Sequence, residues 1–91
     1  MSTVEKYTRM GDALNKTGRP IFYSICNWGI DSTWEWAGEV GNSWRTTEDV
    51  GPRWSDVIKI FKKNSEHHAH AKPGGWNDPD MLELDNGLTF E

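Results

Sequence analysis

The chain has 91 residues, which is enough for one small domain or for part of a larger one. It carries 14 acidic and 10 basic residues, a formal net charge of −4, so electrostatic capture of nucleic acid is excluded as a first reading. Only 35% of residues are hydrophobic, which argues against an independent, well-packed core, yet there are six tryptophans.

Residues 3 to 16 predict a helix, with Val4, Tyr7, Met10 and Leu14 spaced to share one face. Thr17-Gly18 ends it, Gly18 suiting the left-handed C′ position, and Pro20 prevents continuation. Residues 21 to 26 (Ile-Phe-Tyr-Ser-Ile-Cys) form a nearly continuous apolar run, as in a strand buried on both faces of a parallel sheet. A glycine- and tryptophan-rich loop follows from Asn27 to about Asn42, with a helical turn at Trp34, Trp36 and Ala37. Ser43 to Thr47 reads as a second strand. Gly51-Pro52 opens a second helix, with Pro52 at its first position. Trp54, Val57, Ile58 and Phe61 give it an apolar face, and Lys59, Lys62 and Lys63 face outward or cap its end. Residues 64 to 75 are polar and end in Pro73-Gly74-Gly75. Trp76 to Leu84 reads as a short strand entering a carboxylate-rich loop, and Thr89-Phe90-Glu91 as the start of a third helix.

This alternation predicts an α/β chain built from βαβ units with a parallel sheet. Such sheets place ligand chemistry at the C-terminal ends of their strands. Asn27-Trp28, Arg45 to Asp49, and Asp78 to Met81 follow the three strands, so they converge on one side, as in a (β/α)8 barrel.

Four clusters could carry chemistry. In Arg45-Thr46-Thr47-Glu48-Asp49 two carboxylates follow an arginine; a carboxyl in a dry, tryptophan-walled cleft can act as a general acid. The bland alternative is a solvated first turn with Asp49 as the N-cap. Trp76-Asn77-Asp78-Pro79-Asp80-Met81 offers carboxylates for sugar hydroxyls beside an aromatic face for a sugar ring; the alternative is an Asx-Pro turn. Asn27 to Asp31, with Trp34 and Trp36, is an aromatic shelf or a covering loop. Glu66-His67-His68-Ala69-His70 reads as a polar helix end in preference to a metal site, because adjacent ligands rarely converge. Cys26, the one cysteine, reads as a packing residue and rules out an internal disulfide. No run of about 18 apolar residues exists, so no membrane partner is expected, and the N-terminus lacks a signal peptide's apolar region.

Four segments resemble the catalytic domain of the α-galactosidases (melibiases) of glycoside hydrolase family 27, its fungal and plant branches above all. They are Thr17-Gly18-Arg19-Pro20-Ile21, Tyr23 to Gly29, Gly41 to Thr47, and Pro73 to Leu82, in family order and spacing. The resemblance implies a (β/α)8 TIM barrel, of which residues 1–91 supply about strands 5 to 7 with their helices. It implies retaining hydrolysis of terminal α-linked galactose from a saccharide, with no cofactor and no metal. Asp49 matches the acid/base position. Arg45 and Asp80 match galactose-binding positions, Trp28 a pocket wall, and Asn27 to Asp31 the substrate-recognition loop. Some relatives have glutamate at the position of Asn27, and some animal relatives bridge the cysteine matching Cys26 to one near Gly41. The family nucleophile, an aspartate in a Tyr-Asp-Asn-Cys type motif, would precede Met1. The fragment alone is therefore expected to be inactive, and the parent enzyme secreted. A non-catalytic galactose-binding module and an α-N-acetylgalactosaminidase are the alternatives.

Overall fold

The computed structural model describes residues 1–82. The third helix expected from Thr89, and the end of the strand-and-loop segment at Leu84, lie outside them. Three helices and three short strands follow one another: α1 (Thr3–Asn15), β1 (Ser24–Ile25), α2 (Thr33–Trp36), β2 (Ser43–Arg45), α3 (Trp54–Ser65) and β3 (Trp76–Asp78). Single 3-10 turns lie at Ala37–Glu39 and His68–His70. No helix among the described residues is long and apolar enough to cross a membrane.

The sheet is parallel throughout, in the order β1-β2-β3. Ser24, Ser43 and Trp76 are register partners, as are Ile25, Trp44 and Asn77. Successive side chains of a strand point to opposite faces, so these two rows lie on opposite sides of the sheet. Ile25 and Trp44 are fully buried with Ala37, and Tyr7, Tyr23, Trp34, Trp36 and Val40 pack around them. The other row continues with Arg45 and its register partner Asp78. There the Ser43 hydroxyl donates to the Ser24 hydroxyl at 2.9 Å. One face of the sheet is an apolar core and the other is polar.

β1 is shorter and more exposed than the apolar run predicts: Ile21 and Phe22 are exposed. The ladder breaks at Tyr23, whose N–H donates to the Asn42 side chain at 2.9 Å. The side-chain amide has taken the place of a strand partner.

α1 starts at a capping box: the Glu5 N–H donates to Ser2 Oγ, and the Ser2 N–H donates to the Glu5 carboxylate. Its packed face differs from the expected one. Val4 and Met10 are exposed, while Gly11 is buried against the Val40 carbonyl and Tyr23. The missing side chain lets the helix approach there, and Tyr7, one turn earlier, packs on the core. Gly18 is left-handed at φ 73° as expected, though it lies two residues beyond the cap at Lys16.

α3 begins at Trp54 with Arg53 as N-cap, so neither Pro52 nor Asp49 has the expected role in starting it. It buries Val57 and Ile60 against Val50, leaving Trp54 and Phe61 exposed. A polar contact accompanies this rotation: buried Thr46 donates to Asn64 at 2.7 Å. Of the six tryptophans, only Trp44 is fully buried.

Candidate active site

Arg45 ends β2 and points into the polar face. Its side chain is only 9% exposed. Nη2 donates to Asp49 Oδ1 at 3.2 Å and to the Thr47 carbonyl at 3.3 Å, and lies 3.1 Å from Asp80 Oδ2 as an ion pair. Nη1 lies 3.8 Å from Cys26 Sγ. Nε is buried without a partner. The parallel register delivers this convergence: Arg45 faces Asp78, and the chain turns at Pro79 to bring Asp80 back to it.

The two carboxylates differ in freedom. Asp80 is fixed: its side chain is 17% exposed, and Oδ2 also accepts the Val50 N–H at 2.9 Å. Its backbone is left-handed at φ 73°, and its N–H donates to Asp78 Oδ1 at 2.8 Å. That is an Asx turn, the structural alternative for this motif. Asp49 is 69% exposed and meets solvent as well as Arg45. Trp44, five residues before it, is fully buried on the apolar face.

Glu48 turns away from Arg45. Its carboxylate lies 3.8 Å from Lys59 Nζ and 3.7 Å from Lys63 Nζ on α3. Its own backbone N–H, followed by the lysines, holds its carboxyl below the usual glutamate value.

The loop after β1 is braced from within. Asn27 Nδ2 donates to the Ile30 carbonyl at 3.2 Å, and its Oδ1 accepts from the Thr33 hydroxyl. Trp28, Gly29, Asp31 and Ser32 all have positive φ, an unusual run for residues other than glycine. Trp36 Nε1 donates to the Asp31 carbonyl at 3.0 Å. A Cβ on Gly29 would collide with the Thr46 carbonyl, so the loop lies directly on the exit of β2, one residue from Arg45. Trp28 is half-exposed and the Asp31 side chain is exposed. The structure thus brings Arg45, Asp49 and Asp80 together. Asn27 instead holds its own loop.

Two features escaped the sequence reading. Asn77 is a cross-brace: its Oδ1 accepts Trp44 Nε1–H at 2.6 Å, and its Nδ2 donates to the His67 carbonyl at 2.7 Å. Cys26 is exposed beside Arg45 and is not a core residue, because it continues the polar row of β1. The strand period of two could have placed Cys26 there.

His67 and His68 have separate partners. The His67 ring stacks on Trp34 at 3.6 Å between centroids, and burial lowers its pKa. His68 Nδ1 lies 3.2 Å from the Ser65 carbonyl. Among the described residues, no group of three His, Cys, Asp or Glu side chains could hold a metal ion.

The family model described as alpha galactosidase A matches residues 1–91. Alpha-galactosidase 3 of Arabidopsis thaliana is 56% identical over 97% of this chain, which covers 20% of that protein. An alpha-galactosidase of Oryza sativa is 49% identical over 99% of it, covering 22% of the relative. This chain therefore spans about a fifth of the length of these relatives. An alpha-galactosidase from Saccharomyces cerevisiae, solved with raffinose, superposes with a TM-score of 0.91 at 36% identity, over 96% of this chain and 24% of that one. Alpha-galactosidase I from Mortierella vinacea gives 0.86 at 38% identity, over 96% and 27%.

Proposed function

The chain belongs to the alpha galactosidase A family, and on that premise we propose that it is a segment of a retaining exo-α-galactosidase. Its three parallel strands are strands 5 to 7 of a (β/α)8 barrel, with the polar face toward the barrel axis. The observation that carries the reading is the meeting of Asp49 and Asp80 on Arg45 Nη2 at the C-terminal ends of adjacent parallel strands. In a barrel of this kind, strand ends are where the chemistry lies.

Asp49 is the acid/base. Its exposed carboxyl protonates the glycosidic oxygen, then takes a proton from the water that releases the sugar. Arg45 and Asp80 bind galactose hydroxyls. Asp80 is suited to binding, because one of its oxygens is already held by Arg45 and the Val50 N–H. Trp28 provides an apolar wall for the ring, and Asn27 to Asp31 form the recognition loop, with Asn27 acting through loop shape. Retention requires a second carboxylate about 5 Å from the first. The nucleophile is assigned outside this segment, so a polypeptide restricted to these 91 residues is expected to leave an aryl α-galactoside intact. A secreted location for the parent enzyme rests on the sequence resemblance alone.

The test is Asp49→Asn in the full-length enzyme. Turnover of an unactivated galactoside should fall about 10²- to 10⁴-fold, the usual worth of general acid catalysis. A nitrophenyl galactoside, whose leaving group needs no proton, should lose far less in its first step. Equal losses on both substrates would remove Asp49 from the acid/base role.

A further inference from the structure

The loop after β1 is held in a disfavoured shape. Trp28, Asp31 and Ser32 are left-handed at φ 61°, 58° and 52°. Residues with a side chain avoid that region and stay in it only where their surroundings over-determine the backbone. Much of that support comes from α2. The Thr33 hydroxyl meets the Ile30 carbonyl at 2.9 Å and the Asn27 side chain. Trp36 Nε1 holds the Asp31 carbonyl. A Cβ on Gly29 would stand 3.1 Å from Trp34 Cζ3, so the indole lies directly against the loop backbone beside Trp28.

α2 is only four residues long, and its N-cap Ser32 makes no side-chain cap hydrogen bond. A single turn is not stable by itself, so its position is set from outside. Tyr7 on α1 approaches Trp36 at 5.9 Å between ring centroids, tilted by 40°. The closer tie is His67, stacked on Trp34 at 3.6 Å with 18° between the planes. His67 is itself fixed at both backbone polar groups. Its N–H donates to the Asn64 carbonyl at 3.1 Å, and its carbonyl accepts from Asn77 of β3 at 2.7 Å. One anchored ring thus joins the connection between α3 and β3 to the platform under the loop after β1.

We propose that His67 is a positioning residue for sugar binding: by stacking on Trp34 it fixes the Gly29 backbone, and so the angle of the Trp28 wall; this rests on the reading of Asn27 to Asp31 as the recognition loop. His67 acts on binding and not on bond cleavage, because the acid/base carboxylate belongs to a different loop, after β2. Without the flat ring, α2 gains freedom, the left-handed residues relax, and Trp28 is no longer preset for the sugar. Ordering the wall then has to accompany binding, which weakens it.

The experiment measures Ki of free galactose as a competitive inhibitor, and kcat on nitrophenyl α-galactoside, in the full-length enzyme. His67→Ala should raise Ki roughly three- to tenfold, the factor that an aromatic pair is worth, and change kcat by a smaller factor. His67→Phe keeps a flat ring on Trp34 and should restore the wild-type Ki. His67→Leu has similar bulk but no flat face and should keep the raised Ki; it carries the same comparison if alanine impairs folding. Trp34→Ala should raise Ki as well, with His67→Ala adding little on top, because the two rings act as one unit. A role in folding alone would lower the yield of active protein and leave Ki unchanged in every His67 variant. If Trp28→Ala raises Ki and neither His67→Ala nor His67→Leu does, the positioning role is overturned and the recognition loop stands. If Trp28→Ala leaves Ki unchanged, the loop reading falls and the positioning role falls with it.

Discussion

Asp80→Ala withdraws three supports at once. The Val50 N–H loses its acceptor, and Val50 is buried; an unsatisfied buried donor costs about 1–3 kcal/mol. The Arg45 guanidinium loses one of two carboxylates. Breaking a buried ion pair costs about 3–5 kcal/mol, but Asp49 stays in place and Asp80 retains some solvent, so the lower end applies. Alanine must then adopt φ near 73°, which adds about 1 kcal/mol. These costs overlap, and the expected total is about 3–5 kcal/mol. Asp80→Asn keeps an oxygen for Val50 and tolerates the left-handed backbone; it loses the charge alone and should cost about 1–2 kcal/mol. Urea unfolding of the full-length protein, followed by tryptophan fluorescence and far-UV circular dichroism, measures both. A cost for Asp80→Ala below about 1 kcal/mol, or equal costs for the two variants, would refute the claim that Asp80 anchors Arg45 and the loop before α3.

Three further outcomes follow from the geometry. Gly29→Ala should destabilise by more than Gly18→Ala, because both glycines are left-handed but only Gly29 lies against a backbone carbonyl; Gly18→Ala should cost about 1–2 kcal/mol of strain, and equal melting temperatures for the two variants would contradict this. Asn77→Leu leaves the fully buried Trp44 without an acceptor and the His67 carbonyl without a donor. It should cost about 2–4 kcal/mol, and a loss within 0.5 kcal/mol, roughly the scatter of surface substitutions, would sink the cross-brace. For His67 the native pKa lies below the unfolded value, with burial as the main cause. Its neutral form favours the fold, so its contribution is full above about pH 6.5 and is lost as the pH falls through the depressed value. His67→Phe keeps an aromatic ring on Trp34 and should flatten that part of the pH–stability curve; parallel curves for the two proteins would show that His67 does not set the slope.

The order and type of elements were legible because each has a local signal: an apolar run for β1, a helical period for α3, and polar or glycine-rich breaks between them. The orientation of the helices was not. Trp54 and Phe61 fit an apolar stripe, but α3 buries Val57 and Ile60 while Asn64 meets Thr46, a contact across 18 positions that no local pattern encodes. On α1 the decisive residue is Gly11, whose contribution is the side chain it lacks. The capping box at Ser2 and Glu5 is encoded locally, in a three-residue spacing. Within the site, Arg45 and Asp49 stand four apart, so their meeting was visible. That of Arg45 with Asp80 depends on strand register; the predicted parallel order placed both segments at one side, but not these two side chains in contact. Asn27 lay in a motif that implied contact with substrate. Its amide is used inside the loop because a run of left-handed residues needs bracing that the motif does not display.

A single nitrogen, Nη2 of Arg45, is the meeting point of two carboxylates and a carbonyl, while its twin faces the Cys26 thiol. Substitutions at Cys26, Asp49 and Asp80 therefore act on one shared partner, and their effects will not add. Replacing one changes what the guanidinium offers the others, so the sign of a second change can depend on the first. These three positions and Arg45 form one epistatic unit. They are best varied together in a combinatorial library, since a route of single improving steps would have to cross intermediates that leave the guanidinium poorly partnered.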